Sequence, residues 1–73
     1  MTHLTSQKQF ILQHLRTFGS IEPLTALREY GCYRLGARIS DLREEGHNIK
    51  TDYVQQRSRI TGHMVRFAKY ILL

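Results

Sequence analysis

The apolar period of this chain changes once, at Gly46, and that change limits the possible folds more than any other feature. Before it, hydrophobic residues recur every three or four positions in three blocks, each closed by a glycine. Ile11, Leu15 and Phe18, with Leu12 beside them, precede Gly19. Leu24, Leu27 and Tyr30, with Ala26 adjacent, precede Gly31. Leu35, Ile39 and Leu42 precede Gly46. Spacing of this kind marks amphipathic helices, and a glycine just past the last apolar position is a common helix stop. The pattern predicts helices over about 6–18, 23–30 and 33–45. Thr5 or Ser6 would cap the first by accepting a bond from an orphan N–H. Pro23 suits the first turn of the second, where its missing N–H costs nothing. Ser20 and Ile21 make a short link, able to supply one bridge of a sheet.

After Gly46 the chain reads as strands. Ile49, Thr51, Tyr53 and Val54 are strand formers, and Met64–Leu73 is again rich in β-branched and aromatic residues. Between them lies a polar stretch with Arg57, Ser58, Arg59 and Gly62. The expectation is a β-hairpin over about 48–72. An α+β winged helix-turn-helix follows: a short helix, a tight glycine turn, a longer helix, then a hairpin wing, all in one domain over 1–73. Along the last strand only one parity can face a core. If Ala68, Tyr70 and Leu72 do so, Phe67 and Ile71 face outward.

The chain is too short for a large core, since a domain of this size buries only ~60% of its unfolded surface. The usual staples are missing. The single cysteine, Cys32, cannot close an internal disulfide, and its expected place is a buried small hydrophobe of the helix turn. His3, His14, His47 and His63 lack ligand spacing, so no metal or other cofactor is expected. Gly31 and Gly36 follow no strand and make no phosphate loop. Glu44 and Glu45 point to different faces, so an enzyme is not expected either. No apolar run is long enough to span a membrane, and MTHLTSQKQ has no signal-peptide pattern. The expected location is the cytoplasm, with the nucleoid.

Charge gives the first functional clue. The chain carries 11 Lys and Arg against 6 Asp and Glu, a formal net +5. Most of the excess lies after His47, where Lys50, Arg57, Arg59, Arg66 and Lys69 face only Asp52. A basic small domain points first to nucleic acid. Within the third helix, Arg34 and Arg38 come first, and Asp41, Glu44 and Glu45 follow. The helix dipole prefers the reverse order by ~0.3–1 kcal/mol per charge. A helix that inserts its N-terminal half into a major groove needs cations there. Tyr33, Arg34, Ala37, Arg38 and Asp41 are therefore the expected base-reading set, with Gly36 and Ala37 small enough for close approach. The plainer reading makes Arg38 and Asp41 a helix-face pair. Lys50, Arg57, Ser58, Arg59 and His63 are the expected phosphate or minor-groove contacts of the wing.

The string GSIEPLTALREYGCYRLGARISDLREEG, residues 19–46, resembles the small winged helix-turn-helix domains of bacteriophage and prophage proteins. The resemblance rests on Tyr30-Gly31-Cys32, Arg34-Leu35, Ala37-Arg38-Ile39, Asp41-Leu42-Arg43 and Gly46, and extends from about Ser6 to Leu72. The chain departs from the family in its long basic wing, QQRSRITGHMVRF, and in its apolar end. The resemblance implies binding to double-stranded DNA, as a phage or prophage regulator of transcription or an excisionase-like architectural factor. The alternative is a winged-helix module that docks on and modulates a host protein. One helix in one groove buries little, so a weak homo-oligomer or cooperative assembly on DNA is expected. It would form through outward Phe67 and Ile71 on an edge strand.

Overall fold

A computed structural model describes residues 3–73. Its elements are α1 (His3–Phe18), β1 (Ser20–Ile21), α2 (Pro23–Tyr30), α3 (Leu35–Glu44), β2 (Ile49–Arg57) and β3 (Met64–Leu72). The class is α+β, a winged helix with three helices and a three-stranded antiparallel sheet in the order β1-β3-β2. β2 and β3 pair without a bulge from Ile49↔Leu72 to Arg57↔Met64.

The core draws on almost every element. Ile11 and Leu15 of α1, Ile21 of β1, Ala26 of α2, Cys32 of the turn, Leu35, Ile39 and Leu42 of α3, and Ile49 of β2 are buried together. Leu12, Tyr30, Tyr70 and Leu72 pack around them. Cys32 thus occupies the small apolar position expected of it. Two glycine turns set the helix directions. Gly31 is left-handed at φ +64°, and its N–H donates to the Leu27 carbonyl at 3.0 Å. Gly46, at φ +102°, closes α3 in a Schellman motif. Its N–H donates to Arg43 at 3.0 Å and that of His47 to Leu42 at 3.1 Å.

Several sequence expectations change. α1 begins at His3, so Thr5 and Ser6 stand inside the helix rather than at its cap. Phe18 is not in the buried stripe. It is 69% exposed, with its ring beside that of His14. On α2, Ala26 is buried while Leu24 and Leu27 are exposed. A helix of 8 residues has too few apolar positions to fix its phase from sequence. α3 starts at Leu35, and Tyr33 and Arg34 belong to the turn before it. β3 is not an edge strand where Ile71 lies. Ile71 is flanked by Ser20 of β1 and Lys50 of β2, so it is not free to pair with another chain. Of the two parities open to β3, the structure takes the one in which Tyr70 and Leu72 pack on the core.

Candidate nucleic-acid interface

α3 buries Leu35, Ile39 and Leu42, and at 100° per residue this leaves Ala37, Ser40 and Glu44 on the opposite face. Ser40 and Glu44 are exposed there, and Ala37 is half-buried. The two edges differ. Gly36 and Arg43, seven positions apart, share the edge turned toward the sheet. A Cβ on Gly36 would stand 3.6 Å from the Tyr70 hydroxyl. That is an ordinary contact distance, so packing against β3 does not require a glycine here. Arg43 donates from Nε (3.0 Å) and Nη2 (2.8 Å) to the Ile49 carbonyl, and from Nη2 to Thr51 Oγ1 at 2.8 Å. Three charge-assisted bonds clamp the end of α3 to the start of β2.

The other edge holds Arg38 and Asp41. Arg38 Nε lies 3.2 Å from Asp41 Oδ2, and the Arg38 side chain is only 19% exposed. Nε itself is shielded from solvent and lacks an aligned acceptor. The pair expected of the plainer reading is thus present. Tyr33 and Arg34 sit at the entrance to α3, both exposed, Tyr33 by 86%. At the far end, Lys8 of α1 pairs with Glu45. That contact removes one of the two exposed acids at the C-terminal end of α3 from the local field.

The wing tip is built by its own polar groups. Ser58 N–H donates to the His63 carbonyl at 2.8 Å, and Gly62 N–H to the Ser58 carbonyl at 3.0 Å. Ser58 Oγ accepts from the N–H groups of Ile60 and Thr61, each at 3.2 Å. Thr61 Oγ1 accepts from His63 N–H at 3.2 Å. Arg57 folds over the tip and donates to the Gly62 carbonyl at 2.6 Å. Ser58 and Arg57 therefore hold the loop's shape, and Arg59 and His63 project from it, exposed.

Strand parity sorts the remaining candidates. Tyr70 faces the helices, so Ala68, Arg66 and Met64 share its side, with Thr51, Tyr53, Gln55 and Arg57 opposite them on β2. Arg57 and Arg66 thus lie on the same sheet face as α3. Lys50, paired with Ile71, lies on the other face with Asp52 and Lys69, so the fold does not bring it together with α3. Sequence reasoning missed three residues. Arg66 places its guanidinium 4.3 Å from the centroid of Tyr53, a cation–π contact on the helix side of the wing. Ile60 is 94% exposed at the tip. Tyr53 and Arg66 alternate in step with Arg57 and Tyr70, but the cross-strand register that joins them depends on the length of the wing turn.

Among the described residues, only Lys8 and Arg38 pair with carboxylates. No group of three or more His, Cys, Asp or Glu residues among them is placed to hold a metal. No helix among them is long and apolar enough to cross a membrane. No curated protein and no solved structure is significantly similar to the chain. The profile of a winged helix-turn-helix domain matches residues 6–73, taking in α2, the turn, α3 and the whole wing, and on this match the chain belongs to the winged helix-turn-helix domain family.

Proposed function

We propose that the chain binds double-stranded DNA in a sequence-specific way, with α3 in the major groove and the wing along the flanking backbone. The family match carries this reading, because it spans the reading helix and the wing alike. Tyr33 and Arg34 at the entrance to α3, Ala37 on its outer face, and Arg38 and Asp41 on one edge would meet base edges. Asp41 would steady the Arg38 guanidinium, leaving its terminal nitrogens to donate. Arg59 and His63, with Arg57 and Ser58 shaping the tip, would contact phosphates or the minor groove. Arg66 joins them from the helix side of the sheet, and Lys50 does not. The role we infer is that of a phage or prophage regulator of transcription, or of an excisionase-like architectural factor. This rests on the resemblance of residues 19–46.

The test is a gel shift on duplexes selected from a random pool, against random duplex, over a range of salt. The expected result is preferential binding with log K falling steeply against log salt, by ~0.9 per phosphate contacted. Binding that ignores both sequence and salt would end the proposal.

One observation favours a docking role instead. Phe10, His14 and Phe18 line one face of α1. Phe10 stacks on Tyr30 with centroids 6.0 Å apart, and His14 lies 4.5 Å from Phe18. Phe10 and Phe18 are exposed beyond what the fold needs. A protein docked there would bind with little dependence on salt, and Phe10→Ser with Phe18→Ser would release it without changing DNA affinity.

A further inference from the structure

β1 covers only two residues of β3, pairing Ser20 with Ile71 and Ile21 with Tyr70. Beyond Ile21 the chain turns into α2, whose first residues stay beside Phe67, and toward the wing β3 continues beside β2 with the main-chain groups of its other edge open. Leu72 N–H donates to Gly19 on the β1 side, at 3.0 Å, and Leu73 N–H to Asn48 on the β2 side, at 2.9 Å. Along a strand these groups alternate. Those of Met64, Arg66 and Ala68 therefore point the same way as those of Leu72, into the open edge. Among the described residues no main-chain partner reaches them there.

The two outer edges of the sheet differ in chemistry. β2 carries Lys50, Asp52, Gln55, Gln56 and Arg57, the charged and polar residues that discourage edge pairing. The stretch 64–68 of β3 carries Met64, Val65, Phe67 and Ala68 around one charge, Arg66, with no proline or bulge. On the face opposite Tyr70, Val65 is half-exposed and Phe67 half-buried, and Leu24 at the start of α2 is 61% exposed. Phe67 and Leu24 line one shallow apolar cleft with Pro23, Glu22 and Gln56.

We propose that the open edge of β3 pairs antiparallel with the same edge of a second copy, centred on Arg66. In this register Met64 faces the partner's Ala68, Arg66 faces the partner's Arg66, and Ala68 faces the partner's Met64. Each of these three pairs exchanges two main-chain bonds, about six in all. Val65 and the partner's Phe67 form the close, non-hydrogen-bonded pairs between them, twice, extending the apolar surface at Leu24.

The geometry selects a second copy over a long extended peptide. A strand running on past Ala68 would meet Ile21, which already pairs with Tyr70. The partner's strand ends at Met64, opposite Ala68, and its chain then turns into its own wing, away from the first molecule. The dyad of such a pair is perpendicular to the sheet, so both α3 helices lie on one side, as a palindromic duplex requires. The two Arg66 side chains meet on that side. Like charges directly opposite destabilise an antiparallel pair. A phosphate held between them relieves this. Pairing is therefore weak alone and strengthened by duplex; the second half of that statement rests on the DNA-binding reading.

Arg66→Cys tests the register directly. Two thiols at the dyad should cross-link on mild oxidation, and Gln56→Cys, on β2, should not. Cys32 is buried and silent. Val65→Lys, at a half-exposed position, should leave the thermal melt unchanged, slow the Arg66→Cys cross-link and reduce self-association in sedimentation. Arg66→Gln should tighten self-association without DNA, roughly two- to fivefold. Cross-linking no faster than the Gln56→Cys control would overturn the pairing, as would self-association unmoved by Val65→Lys. Strict one-to-one binding on a palindromic duplex would also overturn it, while leaving the DNA reading intact. Specific cross-linking in a chain that binds no duplex would keep the pairing and end the DNA reading.

Discussion

Gly36 and Arg43 show how one residue's place on a helix edge settles its role. Glycine inside a helix costs ~1 kcal/mol relative to alanine. The Cβ of Gly36→Ala would meet only the Tyr70 hydroxyl, at an ordinary contact distance of 3.6 Å, and the backbone needs no positive φ. Gly36→Ala should therefore stabilise the fold by ~0.5–1 kcal/mol, raising Tm by several degrees in a domain of this size. DNA affinity should not change. A large loss of affinity would mean that the duplex, and not β3, needs the space. Arg43→Ala should do the opposite to stability. It strips the Ile49 carbonyl of two donors and frees α3 from β2, at a cost of ~1–2 kcal/mol in chemical melts. Thr51→Val, which removes only the Thr51 Oγ1 contact, should cost less. Equal losses would place the main contribution at Thr51. The role of Arg43 was not visible in the chain, where it reads as one more surface charge.

At the scale of elements, the contacts of the proposed DNA-binding reading divide between α3 and the wing. Replacing Arg38 by alanine should weaken binding to a preferred site by ~1–3 kcal/mol and random duplex much less. The fold should hold, since the pair with Asp41 is an edge contact worth a few tenths of a kcal/mol. Loss of equal size on both duplexes would make Arg38 a phosphate contact. Arg59→Ala should lower affinity evenly across sequences and reduce the salt slope by ~0.9, with an unchanged melt. Arg57→Ala should do this and also loosen the tip, because it removes the bond to the Gly62 carbonyl. Hydrogen exchange of the Ser58–His63 turn separates the two effects. The wing was legible from its strand formers and its polar interruption. The tip's internal bonds were not, since Ser58 reads equally well as a ligand for phosphate.

For the whole molecule, in the proposed reading, reach falls to the distribution of charge and number to the sheet edge. Affinity for duplex should fall by orders of magnitude between 50 and 200 mM salt if several phosphates are contacted. The stoichiometry on a palindromic duplex should be two chains, and Val65→Lys should bring it to one. Persistence of two chains would move the contact between copies elsewhere, to the exposed Phe10 and Phe18 for example.

The sequence by itself determined the order of elements, the helix-turn-helix joint at Gly31 and a hairpin over about 48–72, and left both parities of β3 open. The first three are local matters, set by periodicity, glycine conformation and β-propensity within a few residues. It also placed Cys32, Leu35, Ile39 and Leu42 in the core, because α3 is long enough for its stripe to have a defined phase. Only the tertiary structure decided the rest. Phe18, Leu24 and Leu27 match helical spacing as well as Ile11 and Leu15 do, and differ only in whether another element covers them. Ile71 lost its free edge because two residues 50 positions earlier in the chain pair beside it. Lys50 left the candidate interface, and Arg66 and Tyr53 entered it, through cross-strand register. Register is a relation between distant segments, fixed by the wing turn and by the face that must be buried.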